Sequence, residues 1–291
     1  MVQKLPGDIY RSDLKLADGR DISYYDSSEI NRSAADKRNE EAQPGIGHLR
    51  LDPLVDEWVV IASHRQHRVF LPPKELCPLC ASTGDKLTEI PDKDYEVVVF
   101  GNRAPALTTP KGNFKLAQIS ALSTPDVDAA GACEVVCYTS DHSSSFAKLT
   151  EKQIRAVLEA WKDRDSALSK LPFIEQVYIF ENRGEEVGVT LSHPHGQIYA
   201  YSFLPPKIEK MLQVANDHLA KTGKVLLDEV IKREIKDEKR IISQNSEWIA
   251  YVPYAARYPF EIHIAPLRGV SNMSGLDEKQ SAAFAPIAKE V

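Results

Sequence analysis

Two histidines and a glutamine alternate in Ser192-His193-Pro194-His195-Gly196-Gln197, just ahead of the apolar run Ile198-Tyr199-Ala200-Tyr201. Side chains of an extended strand return to the same face every second residue. The spacing therefore predicts His193, His195 and Gln197 on one face. A neutral imidazole, with an ordinary pKa of about 6.5, can attack an electrophilic phosphorus near pH 7. An amide two residues further on can donate to the non-bridging phosphoryl oxygens, where charge builds up in the transition state. His195 is thus the candidate nucleophile and Gln197 the candidate phosphate donor. The plain alternative is a polar solvent face on an edge strand, where proline is also tolerated. Such faces draw Lys, Glu, Ser and Thr, whereas this one carries two histidines.

A second chemical signal is Cys77-Pro78-Leu79-Cys80, two sulfur donors at the spacing a tetrahedral metal needs. Two further ligands are required. His142 and His193 are the economical choices, each at the end of a predicted strand, and a Cys2His2 set points to zinc over harder metals. Cys133 and Cys137 fall in an apolar strand and read as core. In the basic cluster Ser63-His64-Arg65-Gln66-His67-Arg68, Arg65 and Arg68 have the chemistry to grip a diphosphate bidentately. A solvated charged loop would look the same, and spacing does not choose between them. Glu181-Asn182-Arg183-Gly184 and Gly188-Val189-Thr190 flank the His strand; their glycines suit either close backbone approach to a ligand or a hairpin turn. His48, His67, His218 and His263 have no evident partner.

The elements that must hold these residues follow from periodicity. Glu57 to Ile61, Tyr95 to Phe100, Glu134 to Tyr138 and Phe173 to Phe180 read as strands. Thr150 with Gln153 has capping-box spacing, and Ile154, Val157, Leu158 and Trp161 share a face of the helix that follows. Pro205 to about Lys236 reads as two helices broken near Thr222-Gly223. Residues 1–47 are polar and read as an irregular leader with at most one hairpin, at Asp18-Gly19. A 20-residue stretch repeats: Glu134 to Gln153 aligns without gaps to Glu261 to Gln280, and both copies run strand, loop, capped helix. The first copy continues into two more strands, whereas the second is still in its helix at Val291. On this pattern the chain is expected to be the N-terminal part of a longer protein. The division is a leader (1–47), a first half with the cysteine pair and the His strand (48–203), a helical connection (204–243) and the start of a second half (244–291).

Composition narrows the function. The 291 residues are 43% hydrophobic with a net charge of −6, so no global basic field attracts nucleic acid. No apolar run is long enough to span a membrane, and the N-terminus has no signal-peptide pattern. Four cysteines in so long a chain do not make a disulfide scaffold, which points to a reducing cytoplasm.

Taken together, these residues resemble the galactose-1-phosphate uridylyltransferase family of the histidine-triad superfamily, from about Gly47 to the end. The resemblance rests on Glu57-Trp58-Val59-Val60-Ile61 with His64-Arg65 and Arg68, Cys77-Pro78-Leu79-Cys80, Val135-Val136-Cys137-Tyr138 with Asp141-His142, and Phe180-Glu181-Asn182. It rests further on His193-Pro194-His195-Gly196-Gln197 and on Pro253-Tyr254 with Pro259-Phe260-Glu261. Hydrolytic relatives carry a histidine where Gln197 stands. The resemblance implies an α+β fold of two histidine-triad-like halves, each an antiparallel sheet with helices, the second incomplete. It implies transfer of UMP from UDP-glucose to galactose 1-phosphate by a ping-pong route through a uridylyl-His195. It implies zinc on Cys77, Cys80, His142 and His193, and a homodimer in which Arg65 and Arg68 reach the phosphates of the neighbouring subunit. Asn102, Arg103, Asn182, Gly188, Thr190 and Gln197 match nucleotide- or phosphate-contacting positions. Two departures stand out. Met211 occupies the position of a glutamate that holds iron in some members, so no iron is expected, and Ala104 replaces an aromatic beside the nucleotide. The rival expectations are a phosphorylase or nucleotidyltransferase acting on another nucleotide sugar, and an inactive zinc-binding fragment or half of a split enzyme.

Overall fold

The computed structural model describes residues 2–39, 45–66, 71–110, 112, 114, 116 and 127–291. Its strands, in chain order, are β1 (Val2–Leu5), β2 (Ile9–Lys15), β3 (Asp21–Asp26), β4 (His48–Asp52), β5 (Glu57–Ile61), β6 (Val97–Gly101), β7 (Val127–Asp128), β8 (Gly131–Cys137), β9 (Gln176–Phe180), β10 (His195–Tyr201), β11 (Ile241–Gln244), β12 (Trp248–Tyr251) and β13 (His263–Pro266). The helices are α1 (Glu151–Leu168), α2 (Pro206–Thr222), α3 (Leu226–Asp237) and α4 (Glu278–Glu290). The strands pair antiparallel into a seven-stranded sheet of order β1-β2-β3-β6-β8-β10-β9 and two three-stranded sheets, β5-β4-β7 and β11-β12-β13.

The large sheet is dressed on both faces. Ile198 and Ala200 of β10, Val136 of β8 and Val97 and Val99 of β6 pack against Ile154, Val157 and Ala160 of α1. Each of the fully buried Val and Ile side chains among them contributes about 1.5–3 kcal/mol. On the opposite face, Phe100, Val98 and Cys137 pack under the cysteine-bearing loop, and Cys133 packs with Leu49, Trp58 and Val60 of the small β4–β5 sheet. The α1 capping box forms as its spacing predicts: Thr150 Oγ1 accepts from the Gln153 N–H at 3.2 Å, and Gln153 Oε1 accepts from the Thr150 N–H at 2.9 Å. The aligned copy repeats it at α4, where Asp277 accepts from the Gln280 N–H at 2.9 Å. The break between α2 and α3 falls at Gly223, whose φ of 70° ends the first helix in the left-handed region.

The leader reading needs correction. The hairpin at Asp18-Gly19 is present, as the β2–β3 pairing, but β1, β2 and β3 are part of the main sheet, with β3 hydrogen-bonded to β6. Few apolar residues suffice, because both faces are covered: Ile9 and Tyr25 pack in the core with α1, Ile22 and Tyr24 in the core under the cysteine-bearing loop, and all four are fully buried. Polar residues are buried with them as pairs. Arg32 forks onto Asp26 through two bonds of 2.7 and 2.6 Å, and both side chains are buried.

Candidate active site and metal centre

Along β10, burial alternates. Gly196, Ile198 and Ala200 lie under α1, leaving His195, Gln197, Tyr199 and Tyr201 on the other face. Gly196 is required by a close approach: a Cβ there would fall 1.9 Å from the Tyr138 hydroxyl and 2.9 Å from the Phe180 carbonyl oxygen. The expected alternation thus holds for His195 and Gln197. His193 precedes the strand, and its ring is buried among Cys80, His142 and Tyr95.

A cavity of about 200 Å³ opens on this face, lined by Arg65, Phe180, Asn182, Gly188, Val189, Thr190, His195, Gln197 and Tyr199. Six of the residues singled out from sequence meet here. Asn182 and His195 also line an adjoining cavity of about 230 Å³ that reaches Glu181, Arg183 and Ser192. Arg65 ends a single 3-10 turn after β5 and donates to the Tyr199 hydroxyl at 2.8 Å. It lines the cavity of its own chain, whereas the resemblance implies the neighbouring subunit's. Gly188 sits at φ 75° with open space around it, so its glycine serves the turn and not a close contact. Arg68 lies outside the described residues.

Two expected contacts stand apart from this cavity. Asn102 donates its N–H to the Cys133 carbonyl and accepts from the Ala104 N–H, and it borders a separate cavity of about 470 Å³ with Arg20, Glu134 and Arg164. Arg103 lies 3.7 Å from Glu89, whose carboxylate also takes Arg20 and Arg38. The reason is local: both residues follow β6, which is separated from β10 by β8.

His195 has a defined tautomer. Its Nδ1 lies 2.7 Å from the His193 carbonyl oxygen, which can only accept, so Nδ1 carries the proton and Nε2 keeps its lone pair. Burial lowers the ring's pKa, partly offset by that backbone bond. In the neutral ring Nε2 is therefore the bare nitrogen, chemically able to act as a nucleophile.

The four proposed metal ligands also converge. The donor atoms of Cys77, Cys80, His142 and His193 all lie within 4.8 Å of one another. Cys80 Sγ is 3.4 Å from His142 Nδ1 and 3.6 Å from His193 Nδ1. Ligands bonded at about 2.1–2.3 Å around a tetrahedral ion stand about 3.6 Å apart, so the spacing fits. His193 Nε2 lies 2.9 Å from both the Thr139 carbonyl oxygen and the Tyr95 hydroxyl. Thr139 can only accept, so Nε2 is protonated and Nδ1 is bare toward the cluster. Burial and the neighbouring Cys77 push the Cys80 thiol up to about 11, the environment a bound cation would reverse. Among the described residues these four can hold a metal ion.

Sequence reasoning missed Tyr199 and Tyr95. Tyr199 continues the period-2 series His195, Gln197 and could have been found that way. Tyr95 reads only as the first apolar residue of a strand; nothing in its spacing ties it to His193.

A family profile described as galactose-1-phosphate uridyl transferase, N-terminal domain, matches residues 36–205. The chain is 41% identical over 283 residues to a galactose-1-phosphate uridylyltransferase from Streptomyces lividans, covering 97% of this chain and 74% of that one. It is 38% identical to one from Thermotoga maritima, covering 84% and 74%. Among solved structures, a uridylyltransferase superposes with a TM-score of 0.69 at 28% identity, covering 83% of this chain and 73% of that one. An ADP-glucose phosphorylase from Arabidopsis thaliana superposes at 0.59 with 25% identity, covering 84% and 75%.

Proposed function

The chain belongs to the galactose-1-phosphate uridyl transferase family, and on that premise we propose that it is a nucleotidyltransferase moving UMP from UDP-glucose to galactose 1-phosphate. The observation that carries this reading is the convergence of His195, Gln197, Arg65, Asn182 and Thr190 on one cavity, with His195 Nε2 as the unprotonated ring nitrogen.

Nε2 of His195 attacks the α-phosphorus of UDP-glucose. The bond from that phosphorus to the bridging oxygen breaks, glucose 1-phosphate leaves, and UMP remains on the ring. The imidazole gains positive charge, which the Nδ1–H donated to the His193 carbonyl disperses. Gln197 and Arg65 donate to the phosphoryl oxygens as charge builds up on them. A phosphate oxygen of galactose 1-phosphate then attacks the same phosphorus, releasing His195 and UDP-galactose. Asn182, Gly188 and Thr190, which line the same cavity, would frame the phosphoryl end. Asn102 and Arg103, beyond β8, would take the uridine end, and Arg68, outside the described residues, would be a phosphate contact on the resemblance alone.

We assign zinc to the Cys77, Cys80, His142, His193 cluster. It would act structurally, tying the cysteine-bearing loop to the His strand. A homodimer and a cytoplasmic location belong to the same reading. Four unpaired cysteines suit a reducing compartment, and no helix among the described residues is long and apolar enough to cross a membrane.

Incubation with UDP-glucose followed by intact mass spectrometry tests the proposal. The expected result is a UMP adduct that His195→Ala abolishes and galactose 1-phosphate discharges. An adduct formed only from ADP-glucose would move the reading toward the phosphorylase that the chain also resembles.

A further inference from the structure

Tyr199 stands on the same face of β10 as His195 and Gln197 and lines the same cavity. Its ring is fixed from several sides. The backbone is paired to Cys133 of β8 and Tyr178 of β9, the Phe180 ring meets it edge-on at 5.2 Å, and the Tyr201 ring lies at 5.9 Å. Arg65 comes from a different sheet, at the end of the turn after β5, and its Nη1 donates to the Tyr199 hydroxyl at 2.8 Å. This bond joins the small sheet to the face of the large one at the mouth of the site.

We propose that Tyr199 is a positioning residue that sets the Arg65 guanidinium over the phosphate end of the His195 cavity. An arginine has five N–H donors in a rigid planar fork, whereas its aliphatic stem has many rotamers. Spending one donor on a phenol fixed by the sheet orients the plane of the fork. The guanidinium that lines the cavity is then oriented before the nucleotide sugar arrives, and binding need not order the side chain. Arg65 has further partners, and Tyr199 is one that lines the cavity with His195. The consequence is specific: Tyr199 touches no reacting atom, so its hydroxyl acts on nucleotide-sugar binding and only through Arg65. This inference rests on the uridylyl-transfer reading above.

The test is a double-mutant cycle in the otherwise intact protein, with Tyr199→Phe, Arg65→Ala and both together, read as KM for UDP-glucose and kcat of adduct formation. Tyr199→Phe removes one oxygen and keeps the ring. The expected result is a rise in KM of about tenfold, the scale of a lost charge-assisted hydrogen bond, with kcat within about threefold and an unchanged thermal midpoint. In the Arg65→Ala background, Tyr199→Phe is expected to change KM by less than about twofold. An unchanged KM in the single variant, or an undiminished effect without Arg65, would overturn the proposal. Arg65→Lys, which retains a donor, supplies a second cycle if Arg65→Ala does not fold. Absence of adduct on the wild-type protein would count against uridylyl transfer but not against nucleotide-sugar binding, the part of that reading on which the role of Tyr199 depends. The same cycle would then be read as UDP-glucose affinity by titration calorimetry, with the same two outcomes.

Discussion

His193 and His195 are joined through one backbone carbonyl: the Nδ1–H of His195 donates to the His193 carbonyl oxygen at 2.7 Å, while the His193 ring directs its own Nδ1 at Cys80 Sγ, 3.6 Å away. The candidate metal cluster and the proposed nucleophile are therefore linked through His193, with Pro194 restricting the peptide between them. His193→Ala is expected to lose bound metal and to slow uridylyl-adduct formation by about 10²-fold or more, the scale of a misplacement near 1 Å. His195→Ala is expected to lose the adduct and keep the metal. Metal analysis and intact mass spectrometry on the same samples check the split; full metal retention in His193→Ala would remove that histidine from the ligand set.

Tyr95 lies behind His193, a proposed metal ligand. Its hydroxyl donates to the Leu79 carbonyl at 3.0 Å and meets His193 Nε2 at 2.9 Å, so it ties the cysteine loop to the ligand ring. Tyr95→Phe is expected to weaken metal binding by about 10–100-fold, the usual effect of losing such a support. Competition with a chromophoric chelator measures it. An affinity equal to wild type would mean that Thr139 alone orients the ring.

Arg32 is the buried partner of Asp26 and also donates to the Asp94 carbonyl at 2.5 Å. Removing it strands a carboxylate that is 1% exposed. Arg32→Ala is expected to cost about 3–5 kcal/mol, measured by urea unfolding. A loss below about 1 kcal/mol would show that residues 21–39 do not share the cooperative unit of the main sheet.

Acid should loosen the same region. Burial tends to raise the carboxyls of Asp13, Asp18 and Asp36, but hydrogen bonds from Arg11 and Ser23, from Arg20, and from Arg38 and the Ala17 N–H outweigh it, holding all three below 3.8. A depressed folded pKa means that the unfolded chain binds more protons in this range. The stabilisation is complete above about pH 5 and is lost as pH falls through 3.8 toward the folded values. Hydrogen exchange between pH 6 and 3 is expected to show β2 and β3 losing protection below pH 4. Uniform protection down to pH 3 would contradict this.

Much of the site was legible in the sequence because its chemistry is local. The His193-to-Gln197 spacing and the Cys77/Cys80 pair fix residue types at short range, and the Thr150–Gln153 box fixes where α1 begins. What was not legible depends on contacts made far along the chain. Arg65 reaches Tyr199 across 134 positions, and Tyr95 reaches His193 across 98. The N-terminal strands were obscured because their burial rests on ion pairs such as Asp26–Arg32, whose residue types read as surface. Asn102 and Arg103 carry the right chemistry, but the intervening strand β8 sets them off from the cavity.

Because one chain carries both strand-and-capped-helix units, the packing of α1 on α4 is an internal contact and does not weaken on dilution. Two separate copies meeting about a dyad would have to present the same residues to each other. Here the two sides differ: Lys162 of α1 reaches Ser281 of α4 at 2.8 Å, and Arg155 of α1 reaches Glu278 at 2.7 Å, while Lys289 of α4 caps the Leu149 carbonyl at 2.6 Å. An internal seam is free of that self-complementarity, so the unit that carries His195 and the Cys77, Cys80, His142, His193 cluster can differ in sequence from the unit packed on it.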